Sequence, residues 1–362
     1  MSLRRLWGFG RGWRGLADVV AEEREVTLGD GAAFSFTTVA PRAGGPWPGW
    51  IALHGVTRQG RAHPSLVRFS EALAASGAVV ILPDIPPWRE LDLDPGAAAP
   101  AVRRAIAVLA ADPRVRGAPG LIGFSFGGPA VIRLAADPAI GPQLAGVASF
   151  GGFADFESAL RFQMTGEVHA PEGVVPIRPD PYARWVMAAH YLPFAPGGEG
   201  LRPVAEALHT LALEAGRDAT PSWDPAYDPL RVELAAALAP PHRDLFDLLA
   251  PLSHADPPAD HPDVEVWIDR LVAGARARAP DLELPHDLHL HAPVHILHGR
   301  SDTLIPFTEA AAISARIASP TPITAVTGLF AHSGHTAGSG LAGLRESLRF
   351  GNALRRVLGV PG

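Results

Sequence analysis

The sequence predicts an α/β protein with a mostly parallel central sheet, helices on both faces and a large, mainly helical insertion. Three observations lead there. Short apolar runs alternate with helical stretches, and turn residues separate them. Those runs are continuous rather than alternating, the signature of strands buried on both faces of a parallel sheet. The alternation then stops for about 140 residues, rich in proline, histidine and aspartate, before it resumes.

The elements follow in order. Arg24–Leu28 and Ala33–Val39 flank Gly29-Asp30-Gly31 and predict a hairpin that opens the sheet. Trp50–Leu53 is a buried strand ending at His54-Gly55. His63–Ser76 carries Leu66, Val67, Phe69 and Leu73 at helical spacing, with Gly77 where a helix would stop. Ala78–Leu82 is a strand followed by Pro83-Asp84, Ala101–Ala111 a helix, and Gly120–Phe124 a strand that runs into Ser125. Phe126–Ala136 reads as helix and Gly146–Phe150 as strand. Within the insertion, Pro203–Ala215, Leu230–Leu238 and Val264–Ala279 read as helices. The core pattern returns with the strand Val294–Leu297, a helix near Glu309–Ile317, the strand Ile323–Val326 and a helix near Leu341–Leu358. The expected division is a tail over 1–23, a core over 24–152 and 292–362, and a lid over 153–291.

Composition bounds the function. With 362 residues, 47% hydrophobic and 19% charged, the chain can bury a large core and is not disordered. A net charge of -6, with no basic run, gives no reason to expect a nucleic-acid partner. The cysteine count is 0, which removes disulfides, thiolate metal sites and cysteine nucleophiles. Every basic side chain is arginine. Arg4, Arg5, Arg11 and Arg14 stand among Trp7, Phe9 and Trp13, without the apolar stretch of a signal peptide. A tail packed on the domain is the leading reading of that segment, with weak surface anchoring as the other. No segment is apolar enough to span a bilayer, and the expected location is cytoplasmic.

The chemistry concentrates at Gly123-Phe124-Ser125-Phe126-Gly127-Gly128, a G-x-S-x-G sequence set between a strand and a helix. The glycines let strand and helix approach closely while a sharp turn lifts the serine clear of the sheet. A serine hydroxyl is a poor nucleophile near neutrality, so a base and an orienting carboxylate are expected downstream. Asp302 lies just past the carboxyl end of the strand at 294–297, where ligands gather in open α/β sheets. His332 is the expected base, a short loop beyond the strand at 323–326, and His335 is its competitor. The oxyanion amides are expected on Phe126 and on Val56, with Thr57 as the alternative to Val56. Asp84 reads as a structural loop residue. Tyr182, Trp185, Met187, Tyr191 and Phe194 read as lid core, part of it lining an acyl or aromatic pocket.

The combination resembles the α/β-hydrolase superfamily and, within it, the dienelactone-hydrolase-like and esterase branches. The matching pieces are the His54-Gly55 loop, Pro83-Asp84, Leu121–Gly128, His298-Gly299 with Asp302, and a histidine near the end. The resemblance covers roughly 24–152 and 292–358 and implies the core strand order and a Ser-Asp-His triad. Two departures stand out: the familiar Gly-His context belongs to Gly334-His335 rather than Ala331-His332, and the lid carries no recognised motif. The expected function is a serine hydrolase that cleaves an ester or related acyl bond, with carboxylesterase as the specific reading; the alternatives are a thioesterase, a peptidase, other α/β-hydrolase chemistry, or a non-catalytic ligand-binding homologue. The expected partner is a small acyl substrate, with no cofactor. The cluster His286, His289, His291, His295 and His298, with His289 and His291 placed on one strand face, lacks the carboxylate spacing of a divalent site, and no metal is expected.

Overall fold

The computed structural model describes residues 3–27, 33–42, 44–217, 220–328 and 350–359. Eight strands form the central sheet: β1 (Val19–Thr27), β2 (Ala33–Pro41), β3 (Trp47–Leu53), β4 (Val79–Pro83), β5 (Val115–Phe124), β6 (Gly146–Phe150), β7 (Val294–Gly299) and β8 (Ile323–Thr327). Their spatial order is β1-β2-β4-β3-β5-β6-β7-β8. β2 runs antiparallel to both neighbours, and every other pairing is parallel. This strand order, with the strand–turn–helix at Ser125 described below, defines the α/β-hydrolase fold.

Alternate residues of each buried strand serve opposite faces. Trp50, Ala52, Val80, Leu82, Ile122 and Ala148 pack under α2 (Pro64–Ala75) and the helical residues 350–357. Ile51, Leu53, Val79, Ile81, Leu121 and Val147 pack against α3 (Ala98–Ala111), α4 (Gly127–Ala136) and α11 (Glu309–Arg316). Both faces are therefore covered, as the unbroken apolar runs require.

The first 23 residues, expected as a tail packed on the domain, contain a helix and the start of a strand. Leu3–Trp13 form α1, and β1 begins at Val19 rather than at residue 24. The charged run Glu22-Glu23-Arg24-Glu25 hides that strand from a hydrophobicity pattern because it is an exposed edge. Residues 28–31, at the tip of the expected hairpin, lie outside the described residues, but β1 and β2 do pair antiparallel.

Between β6 and β7 the chain builds α5 (Phe156–Thr165), a hairpin of Glu167–Ala170 and Gly173–Pro176, α6 (Tyr182–Tyr191), α7 (Arg202–Ala215), α8 (Asp228–Ala237), α9 (Pro240–Leu249) and α10 (Val264–Arg278). α5, α6 and α9 add to the three insertion helices expected from the sequence. Trp185, Tyr191, Leu208, Phe246 and Ile268 fill the interior of this insertion and are continuous with the core beneath it. Phe194, read with them as lid core, is 46% exposed. Polar ties fasten the insertion to the sheet's loops: Gln59 Nε2 donates to the Arg217 carbonyl at 2.9 Å, His209 Nε2 lies 3.0 Å from the Glu90 carbonyl, and Glu309 accepts the Ala154 and Asp155 amides. Burial raises the Glu309 carboxyl above its usual range. No helix among the described residues is long and apolar enough to cross a membrane.

Candidate active site

Ser125 stands at the carboxyl end of β5 with φ +53, a left-handed conformation that costs a non-glycine residue about 1–3 kcal/mol. The surroundings enforce it. Its amide donates to the Phe150 carbonyl at 2.8 Å, and its carbonyl accepts from Gly128 at 2.8 Å. A Cβ on Gly123 would fall 1.9 Å from the Gly127 carbonyl oxygen, and one on Gly128 would fall 2.5 Å from Ser149 Oγ. Only glycines allow β5 and α4 to meet so tightly, which is the physical content of the motif. The Ser125 side chain remains partly accessible at the start of α4, where helix amides favour negative charge.

The loop after β3 passes directly beside the serine. A Cβ on Gly55 would lie 3.0 Å from Ser125 Cβ and 3.5 Å from its Oγ. His54, 1% exposed, holds this loop: its Nδ1 lies 2.7 Å from the Gly55 carbonyl, which can only accept, so Nδ1 carries the proton. The Gly55–Val56 peptide is planar, so anchoring its carbonyl also fixes the opposite direction of the Val56 N–H. Val56 itself is half-buried against the core. Phe126 caps α4, and its ring packs edge-on against Trp88 at 5.4 Å, which also meets the edge of His54 at 5.7 Å.

Burial pushes the His54 pKa down from 6.5 to about 4, against the pull of its bond to Gly55 and of Asp84. An unfolded chain therefore binds this proton near pH 6.5 and the folded one only near pH 4. Stability is at its full value above pH 6.5 and falls as pH drops towards 4, by about 3 kcal/mol for His54. Denaturant unfolding between pH 4 and 7.5 checks this: His54→Asn, which keeps a donor towards Gly55, should flatten that part of the profile. His295, depressed to about 4 by burial and then by Arg356, should leave its own slope in both proteins.

Asp302 follows β7 and is fully buried. Its Oδ1 accepts the Leu304 amide at 2.9 Å and the Ile305 amide at 3.0 Å, and Oδ2 lies 3.4 Å from His298 Nε2. The insertion grips the same loop. Gln163 Nε2 on α5 donates to the Thr303 and Leu304 carbonyls at 3.0 and 2.9 Å, and the Asp180 amide donates to Thr303 at 2.8 Å. Arg184 on α6 donates in turn to the Gln163 carbonyl at 2.7 Å. These contacts had no signature in the sequence, because Gln163 and Thr303 are 140 residues apart.

β5, β6 and β7 are successive neighbours, so the ends carrying Ser125 and Asp302 sit two strand spacings apart, about 10 Å, on one edge of the sheet. β8 pairs with β7 and ends at Thr327 on that edge. His332 and His335 lie outside the described residues. Asp84, behind the loop, is 3.3 Å from Arg89 and 3.8 Å from Arg61.

The histidine cluster disperses. Between residues 286 and 292 only Leu288–His289 form strand, so His289 and His291 do not share one; His289 Nδ1 meets Ser319 Oγ at 2.8 Å, and His295 and His298 are buried in β7. No group of three potential metal-binding side chains forms among the described residues. An open cleft of about 340 Å³ lies elsewhere, lined by Asp155, Arg161, His169 and Thr308 among others.

No protein-family model matches the chain, and no curated protein matches it. Among solved structures it is similar to the 2,6-dihydroxy-pseudo-oxynicotine hydrolase, at 15% identity over 94% of this chain and 68% of that one, with a TM-score of 0.45. The hydrolase of 2-hydroxy-6-oxo-6-phenylhexa-2,4-dienoate from Rhodococcus sp. strain RHA1 shares 15% identity over 94% of this chain and 99% of that one, with a TM-score of 0.44. The acylaminoacyl peptidase of Pyrococcus horikoshii shares 10% identity over 96% of this chain, which spans 42% of the peptidase, with a TM-score of 0.44. The strand order and the elbow of the chain itself define its fold.

Proposed function

We propose that the protein is a serine hydrolase that cleaves an ester or related acyl bond of a small molecule, with carboxylesterase as the specific reading. Ser125 Oγ attacks the carbonyl carbon while His332 takes its proton. The leaving group departs with that proton, and water then releases the acyl group from Ser125 by the same route. Asp302 orients the histidine and stabilises its charged form. The Val56 and Phe126 amides receive the oxyanion. One observation carries this reading: Ser125 is held at φ +53 on a glycine-walled elbow, beside a loop whose peptide orientation His54 fixes. A serine with a purely structural role has no use for that strain.

Fluorophosphonate labelling of the purified chain, with the modified residue located by mass spectrometry, tests it. Labelling at Ser125 that disappears in His332→Ala supports the assignment in full. Labelling that survives there and disappears in His335→Ala keeps the serine and moves the base. A correctly folded protein that takes no label overturns the reading in favour of a non-catalytic binding protein.

A further inference from the structure

The arginine- and tryptophan-rich helix α1 plays no part in the chemistry proposed above. Its inner face is committed: Phe9 is 4% exposed and meets the edge of Phe69 at 5.6 Å. Cβ atoms on Gly8 and Gly12 would fall 2.5 Å from the Ala75 carbonyl oxygen and 2.6 Å from Ala72 Cα, so α1 lies hard against α2 through its glycines. The other face is a single stripe. Arg4, Trp7 and Arg11 follow one another at intervals of three and four residues, the spacing that keeps side chains on one side of a helix; Arg14 stands in the turn just past the helix end, and all four are exposed. The Trp7 indole is 63% exposed with the Arg11 guanidinium 4.9 Å over its ring, and Leu16, 59% exposed, adds a second apolar side chain beside Arg11, whose guanidinium donates to the Leu16 carbonyl.

Residues 3–17 contain no acidic side chain in a chain whose net charge is -6. No carboxylate among the described residues forms an ion pair with Arg4, Arg11 or Arg14, whereas Arg42 pairs with Asp18 just beyond the stripe. An unpaired cationic stripe with a large indole and a leucine set into it is the composition that lies flat in a headgroup layer.

We infer that α1 docks the protein on an anionic lipid surface, with Trp7 and Leu16 entering the headgroup boundary and Arg4, Arg11 and Arg14 meeting lipid phosphates. Charge complementarity selects an anionic surface, and the exposed apolar pair selects lipid over a soluble polyanion. Duplex nucleic acid would engage the arginines and leave Trp7 and Leu16 in water. The inference is independent of the catalytic assignment.

Co-sedimentation of the full chain with vesicles tests it, using phosphatidylglycerol–phosphatidylcholine against phosphatidylcholine alone. Binding is expected only to the anionic vesicles and should disappear at high salt. The Arg4→Glu/Arg11→Glu double variant should lower the partition coefficient at least about tenfold, since each guanidinium near a charged surface contributes about fivefold. Trp7→Ala should lower it several-fold with the charge unchanged. All three side chains point outward, so circular dichroism should show the variants folded. Equal partitioning onto both vesicle types, or variants that bind as the parent does, would overturn the inference. So would binding that duplex DNA matches in affinity and that Trp7→Ala leaves intact.

Discussion

Replacing Ser125 by alanine is expected to reduce acyl-transfer turnover by about 10⁴-fold or more and leave the fold in place. The size follows from the proposed mechanism. Removing the nucleophile leaves only the amides of the elbow and substrate binding to lower the barrier, so activity falls to whatever those provide. The fold should survive because the serine contributes to the elbow through its backbone: its amide bonds to Phe150 and its carbonyl to Gly128, and alanine keeps both. Alanine also carries the same φ penalty at +53 as serine, so the strain is unchanged. A substrate panel of short acyl esters, with circular dichroism and thermal unfolding on the same samples, gives the result. Turnover within tenfold of the parent would remove Ser125 from the mechanism, and a lost fold would show that the elbow depends on more than its backbone bonds.

What the sequence made legible divides along a physical line. Strands such as Val79–Pro83 and Gly146–Phe150 are apolar throughout because both faces are buried, and they were readable almost to the residue. β1 is legible only from Arg24 because its outer side chains are charged at an exposed edge, and β5 only from Gly120 because Arg116-Gly117-Ala118, which follow its first residue Val115, are exposed. The elbow was readable because its steric demand is local: three glycines within six residues of one serine. The support around Asp302 was not. The Gln163 bonds to Thr303 and Leu304 depend on where α5 lands, and a glutamine in an amphipathic helix looks like any solvated polar residue. In the structure Gln163 has no exposed surface. His54 is an intermediate case, since its partner is the next residue, yet only the ring's orientation and burial give the bond its consequence for Val56.

Asp302→Asn is expected to cost about 10³–10⁴-fold in turnover with far less effect on substrate binding. The cause is what the carboxylate meets. Both oxygens are engaged: Oδ1 by the Leu304 and Ile305 amides, and Oδ2 by proximity to His298 Nε2. An asparagine can keep its oxygen on the two amides, which places its NH₂ at the Oδ2 position. There it presents a donor where the carboxylate accepted, so a base histidine can no longer donate its other ring proton to this residue and is held in the wrong tautomer for taking the serine proton. The loop itself should hold, since Gln163 and the Asp180 amide grip the Thr303 and Leu304 carbonyls independently of residue 302. Two effects can therefore be separated on one preparation. If kcat collapses while KM and the melting temperature stay close to the parent's, Asp302 acts by orienting and charging the base. If stability falls in step with activity, the carboxylate is the keystone of the loop, and the acid of the triad must be sought elsewhere on the same edge of the sheet.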